Sequence, residues 1–408
     1  MCDWTQTTVT VDPPLAPIHV SQVTPAVKKL TLFFRGLNRP DLPFSPLVCA
    51  LHLSLCLRVP VAFLAFLVPL SGGQAPGGAP QIAATSSPQE ILDRARQLMG
   101  QGKQDEAISL LEESVRREPK VAGLEAQLGK AYYQKRDFHQ AVIHFEMAAR
   151  QQPEDGETTQ LLGLSFYSLG QWAKAIPYLE KVQSRIPESE IDGPYLLGIC
   201  YLHTQQPQKA RGALARMFSV SPESAMAHLM LAKMMVRERN EEEAIPELQR
   251  AINIDPSLPM AHFLLGEIHL FKSNPQLALE EFKKELEVNP TVWLVYWRLG
   301  DAYARLEKYE EAVKALKQSI WLNETFTGPY VLLGEIGLKK GDLELAVGFL
   351  ERALKLDPNN YYAHYFLGRA YQRMGRSEEA RQEIERTQSL RMQKKQADQE
   401  LLLPEKRR

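Results

Sequence analysis

The sequence predicts an all-α chain of stacked helix pairs, and three interleaved ladders of residues predict it. Ala107, Ala141, Ala175, Ala210, Ala244, Ala278, Ala312, Ala346 and Ala380 stand 34 residues apart, with one interval of 35. Pro119, Pro153, Pro187, Pro222, Pro256, Pro290 and Pro358 each follow one of these alanines by 12 residues. Ahead of them run Leu128, Leu162, Leu197, Leu231, Leu265, Leu299, Leu333 and Leu367, each followed by glycine except where Ala232 replaces it. A period of this order marks a solenoid, in which each unit buries its apolar face only against its neighbours. The 408 residues are therefore organised around one long array, not around the two or three globular domains that length alone suggests.

Each unit reads as two short amphipathic helices. In LVYWRLGDAYARL followed by EKYEEAVKALKQSIWL, apolar residues recur three and four apart, the spacing of one helix face. The ladder glycine and alanine are small because the two helix axes approach there, and a larger side chain would overpack the contact. The proline falls just past the second helix and ends it. Pro177 and Pro246 lie inside second helices, near the first turns, where a missing N–H costs least. Nine units are expected over residues 88–394, starting near Pro88, Ala122, Gly156, Ile191, Ala225, Pro259, Trp293, Thr327 and Tyr361. The first has Arg94-Ala95 instead of Leu-Gly, as a capping unit would. The third carries one extra residue, placed between Pro187 and Pro194, and the seventh has Glu324 where proline is expected.

Leu-Gly, a tyrosine three residues after the glycine (Tyr132, Tyr201, Tyr303, Tyr371), the alanine and the proline together resemble the tetratricopeptide repeat. The resemblance implies a right-handed superhelical solenoid whose first helices line a concave groove. In that family the second, fifth, ninth, twelfth and thirteenth places of each unit commonly face the groove. On this chain they fall at Tyr195, Ile199, Leu202, Met226, Leu229, Lys233, Met260, Phe263, Glu267, Leu270 and Phe271. Toward the C-terminal end they fall at Trp297, Asp301, Arg305, Tyr362, Tyr365 and Arg369. A minority of these are expected to be buried between helices. The resemblance implies a non-enzymatic scaffold that binds a protein or peptide, here an apolar or amphipathic segment centred on units four to six with Phe263 and Trp297 as anchors. The alternative is a structural assembly subunit that self-associates or scaffolds an envelope complex. The successive Lys and Asn that grip a C-terminal carboxylate in some members are not visible.

The remaining chemistry is sparse. A formal charge of −1 gives little long-range drive toward a polyanion, so nucleic acid is not an expected partner. Three of the four cysteines fall in the first 56 residues, and none has zinc-ligand spacing. No GxSxG, P-loop, HExxH or dinucleotide GxGxxG pattern occurs, and no cofactor or metal is expected. His228, His262 and His364 share the fourth place of their units with Tyr296 and Tyr330, which reads as rings filling an aromatic place.

The ends differ in composition. Residues 47–70 are almost wholly apolar apart from His52 and Arg58, which admits a single-pass anchor. Started at Arg58, the same stretch is one positive charge, the run VPVAFLAFLVPL and the small residues SGGQA, the layout of a signal peptide over 58–75 with cleavage after Gly73. Residues 1–57 are then expected to be unstructured and upstream of the true start, and 76–87 a flexible linker. Use of the signal implies an extracytoplasmic protein, secreted or periplasmic; the alternatives are a membrane-anchored or a cytoplasmic one, with membrane contact only through this segment. Residues 395–408 are expected to form a polar cap and tail.

Overall fold

The computed structural model describes residues 87–183 and 192–402, and every regular element among them is a helix. The eighteen helices fall into nine consecutive pairs. They are α1 (Pro88–Gly100) with α2 (Gln104–Arg117), α3 (Leu124–Gln134) with α4 (Phe138–Gln151), and α5 (Gly156–Ser168) with α6 (Trp172–Gln183). Next come α7 (Asp192–His203) with α8 (Pro207–Phe218), α9 (Ala225–Arg237) with α10 (Glu241–Ile254), and α11 (Ala261–Phe271) with α12 (Pro275–Val288). The last three pairs are α13 (Trp293–Arg305) with α14 (Tyr309–Leu322), α15 (Gly328–Lys340) with α16 (Leu343–Leu356), and α17 (Tyr361–Arg373) with α18 (Ser377–Leu402). The anchor or signal segment, the linker to residue 86 and the position of the extra residue in unit three lie outside the described residues.

Local sequence starts and stops these helices. Ser87 caps α1 in a capping box with Glu90, and the side chains of Asp155, Ser224 and Asn360 cap α5, α9 and α17. Each first helix leaves through a left-handed residue at one fixed place: Gly102, Arg136, Gly170, Gln205, Arg239, Ser273, Glu307, Gly341 and Gly375. The N–H after it bonds back to the carbonyl five residues earlier, as from Asp137 to Tyr132 at 2.9 Å, so the turn closes on main-chain hydrogen bonds. Pro177 and Pro246 differ from expectation. Each is the sixth residue of its helix, beyond the four N–H groups that are free in any case, so each removes a ladder bond that its helix tolerates. The turn at Glu324 forms without proline, with Asn323 Oδ1 accepting from the Thr325 N–H at 3.2 Å.

The small-residue ladder marks where each pair closes. The alanines from Ala107 to Ala346 are fully buried. A Cβ placed on Gly129 would stand 2.6 Å from Phe145, on Gly266 2.5 Å from Phe282, on Gly300 2.6 Å from Leu316 and on Gly334 2.5 Å from Leu350. A larger residue at these places would have to displace the facing phenylalanine or leucine side chain. Between pairs, first helices also touch first helices: α1 with α3, α3 with α5, and then α9, α11, α13, α15 and α17 in succession. Second helices of neighbouring pairs make no comparable approach among the described residues. The first helices thus form the closely spaced layer and the second helices the splayed one. The first helix of pair four, α7, has the looser backbone approach to α5 and α9; it packs on α6 and α8 and reaches α9 through side chains.

Candidate protein-binding face

The first-helix layer presents the residues singled out from the sequence, and it sorts them into two sets. Ile199, Leu202, Leu229, Phe263 and Leu270 are buried, at 1–7% exposure. Closed off in this way, they offer little surface to a partner, although Tyr195, Trp297 and Tyr365, at the same fifth place as Leu229 and Phe263, stay half-buried or exposed. Phe263, expected as an anchor, packs on Phe282 with ring centroids 5.9 Å apart. Tyr195, Met226, Lys233, Met260, Glu267, Trp297 and Asp301 are half-buried, and Phe271, Arg305, Tyr362, Tyr365 and Arg369 are exposed. Exposed aromatic surface thus lies in unit six, with Phe271 at 68%, and at the C-terminal end, with Tyr362 at 63% and Tyr365 at 40%.

Several of these side chains are fixed by partners. The Tyr195 hydroxyl accepts from Arg237 Nη1 at 2.8 Å across the join between pairs four and five. Lys233 beside them loses solvent, and that burial, with Arg237 nearby, lowers its ammonium to about 7. Met260 sits in a left-handed conformation at φ 73°, and its N–H donates to Glu285 Oε1 at 2.7 Å. The same fully buried carboxylate accepts the Phe263 N–H at 3.1 Å through Oε2, so Glu285 caps α11 and holds Met260 in place. Burial pushes the Glu285 carboxyl up, and these N–H donors pull it back.

Pairs six and seven are linked by a charged chain. Arg298 lies 2.7 Å from Glu267 and 3.6 Å from Asp301, and Arg305 reaches Asp301 at 2.9 Å. Burial raises the Glu267 carboxyl, opposed by Arg298. The Arg298 guanidinium lies 4.1 Å from the Trp297 ring centre, and Trp297 meets Phe326 edge-on at 5.0 Å, so its ring is held at the surface rather than free to turn. At the far end Arg369 lies 5.9 Å from the Tyr365 ring centre.

The histidines are not stacked aromatic filler. His228 Nδ1 lies 2.6 Å from Glu247, His262 Nδ1 2.6 Å from Glu281 and His364 Nδ1 2.5 Å from Glu383, each across one pair at a separation of 19 residues. In pair two the same two places are exchanged: Glu125 stands on the first helix and His144 on the second, 2.8 Å apart. A polar clasp joins the two helices in four pairs, and its signal in the sequence is the shared 19-residue spacing. Among the described residues no three His, Cys, Asp or Glu side chains converge as a metal site. Cys200 is buried, and its thiol is pushed up to about 12 by that burial.

Matches to families described as the tetratricopeptide repeat cover residues 92–155, 195–259, 261–320 and 338–397. Residues 134–217 match the family described as anaphase-promoting complex, cyclosome, subunit 3. The chain belongs to the tetratricopeptide repeat family, whose arrays are generally non-catalytic scaffolds for protein interactions. Similar solved structures include the APC/C hetero-tetramer Cut9–Hcn1, at 19% identity over 70% of this chain and 56% of that one, with a TM-score of 0.38. They also include MamA, at 22% identity over 40% of this chain and 96% of that one, with a TM-score of 0.37. The C-terminal part of a repeat protein from Cytophaga hutchinsonii is 16% identical over 56% of this chain and 93% of its own, with a TM-score of 0.39. The chain thus spans little more than half the length of the Cut9–Hcn1 chain it matches. No curated protein matches the sequence. No described helix is long and apolar enough to cross a membrane.

Proposed function

We propose that the first-helix face binds an apolar or amphipathic segment of a partner protein, with its main contacts from pair five to pair nine. The observation that carries this reading is the set of incompletely buried large side chains on or at the start of the first helices of pairs five, six, seven and nine: Met226, Met260, Phe271, Trp297, Tyr362 and Tyr365. Surface of that kind marks an interaction site when it is contiguous. Methionine adapts to varied shapes, so related segments share the site. Trp297, already oriented by Arg298 and Phe326, supplies the rigid anchor, and Tyr365 with Arg369 the second.

Selection of displayed peptides on the full chain, followed by titration of the selected sequences, tests this. Trp297→Ala and Tyr365→Ala are each expected to weaken binding by about tenfold or more while the helical spectrum is unchanged. Binding that survives both substitutions but collapses with added salt would overturn the reading, since a charged surface elsewhere would then carry it. On the same footing, the stretch that begins at Arg58 is proposed to direct the protein out of the cytoplasm, because one charge, an apolar run and small residues follow in order. N-terminal sequencing of the native protein tests that, with an intact Met1 as the contrary result.

A further inference from the structure

The second helices carry one substitution that the stack does not ask for. The residue after the ladder alanine is aliphatic in the neighbouring pairs, as in Ile176, Ile245, Leu279, Val313 and Val347, and the last three share a core cluster with residues of the next pair. In pair four it is Arg211, which is 8% exposed. Among the nine described pairs only the ninth has another arginine there, and Arg381 is open to solvent. An isoleucine would serve the packing at least as well, because a buried guanidinium must be desolvated and matched.

The matching of Arg211 is incomplete. Its Nη2 donates to Glu223 Oε1 at 2.5 Å, but the Glu223 side chain is 73% exposed. Glu247 is 3.8 Å from Nη1 and is already engaged by His228 at 2.6 Å and Arg250 at 2.5 Å. The Arg211 Nε is buried with no hydrogen-bond partner among the described residues. Arg211, Glu223, His228 and Arg250 line an open cleft of about 350 Å³ between α8 and α10, together with Gln208 and Asn253. It lies among second helices, apart from the face proposed for the partner segment.

A planar fork of donors held in a recess, and closed on its outer side by a mobile-length carboxylate side chain, is the arrangement that recognises an oxyanion. We propose that this cleft is an oxyanion site, in which a carboxylate or phosphate group of a ligand replaces the Glu223 side chain on Arg211, with Arg250 at the rim. Glu223 occupies the place that the ligand group would take. The proposal does not depend on the groove reading.

Titration calorimetry of the full-length chain with sodium phosphate and with glutarate, against sodium chloride at matched ionic strength, tests it. Saturable heat with either anion and not with chloride is expected, and the anion that binds identifies the source. Glu223→Gln removes the internal competitor and should tighten binding about three- to tenfold, whereas Arg211→Ile should weaken it at least tenfold. Arg211→Ile installs the residue of the flanking pairs, and its thermal midpoint and helical spectrum show whether it is folded. Should that variant not fold, Glu223→Gln still decides the matter. Equal affinity of wild type and Glu223→Gln, anion binding that persists in folded Arg211→Ile, or no binding above the chloride control in Glu223→Gln would overturn the proposal.

Discussion

In pair six a Cβ on the ladder glycine, Gly266, would stand 2.5 Å from the Phe282 ring of its own second helix. In pair four a Cβ on Gly198 would meet Met234 of the next pair at 3.1 Å, with its own Leu214 only at 3.8 Å. The two glycines occupy the same register, and the first seals a pair while the second leans on a neighbour. The first helix of pair four also approaches its neighbouring first helices less closely at the backbone, and meets the next one through side chains. It has Pro194 and Ala213 at the two places where pair six has His262 and Glu281. A ladder residue therefore reports its place in the repeat, while the forces that act on it come from whichever helix reaches it.

The largest effect that separates the two regions is expected at the fifth place. Phe263→Ala should cost about 3–5 kcal/mol, since it empties a buried ring site between helices. Tyr195→Ala, half-buried in pair four, should cost about 1–2 kcal/mol, mostly through the lost hydrogen bond with Arg237. Denaturant midpoints of the full chain compare them, and equal costs would erase the distinction. Gly266→Ala should then cost about 1–3 kcal/mol by overpacking, and Gly198→Ala less than about 1 kcal/mol because the end of a methionine can move. A larger penalty at Gly198 than at Gly266 would show that pair four is the tighter of the two.

The clasp sharpens the contrast further. His262→Ala should cost about 1–2 kcal/mol, leaving Glu281 with Lys284 alone. The exchange His262→Glu with Glu281→His should restore most of that loss, because pair two already carries Glu125 and His144 in that order. A double-mutant cycle on thermal midpoints measures it, and a double variant no better than the single one would refute interchangeability. A pH-dependent effect concerns Lys233, next to the join with pair four. Its folded value of about 7 lies below the ordinary 10.5, so the unfolded chain holds more protons between those values and stability rises with pH across that window. The midpoint advantage of Lys233→Met over wild type should be greatest below about pH 7 and fade toward 10.5. An advantage that does not vary with pH would place the Lys233 ammonium in solvent.

The periodicity of small residues made the helix pairs legible, because a glycine between two axes and an alanine beneath them are demanded by distance alone. The binding face was only half legible. Sequence register places Leu229, Phe263 and Leu270 on the first-helix face, but how far one pair rotates onto the next decides whether that face is open or shut at a given height. Glu285 escaped notice because a carboxylate among FKKELEV reads as a solvated face, and only the fold shows it beneath the Met260 N–H. The His–Glu clasp was within reach: three pairs at one spacing, and a fourth inverted, constitute a pattern that needs no coordinates. Arg211 was within reach as well, as the one departure from an aliphatic column inside the array.

The nine left-handed exits from the first helices have a consequence for descent. Five of them are built on Arg136, Gln205, Arg239, Ser273 and Glu307, all exposed, and four on glycine. A side chain in that conformation costs about 1–2 kcal/mol, and the main-chain bonds that close the turn hold it there whatever the side chain is. The turn thus selects for a backbone and is indifferent to charge: cation, neutral amide, hydroxyl and anion all appear. This column is a margin along which lineages can recolour one edge of the array by single substitutions while no packed residue changes.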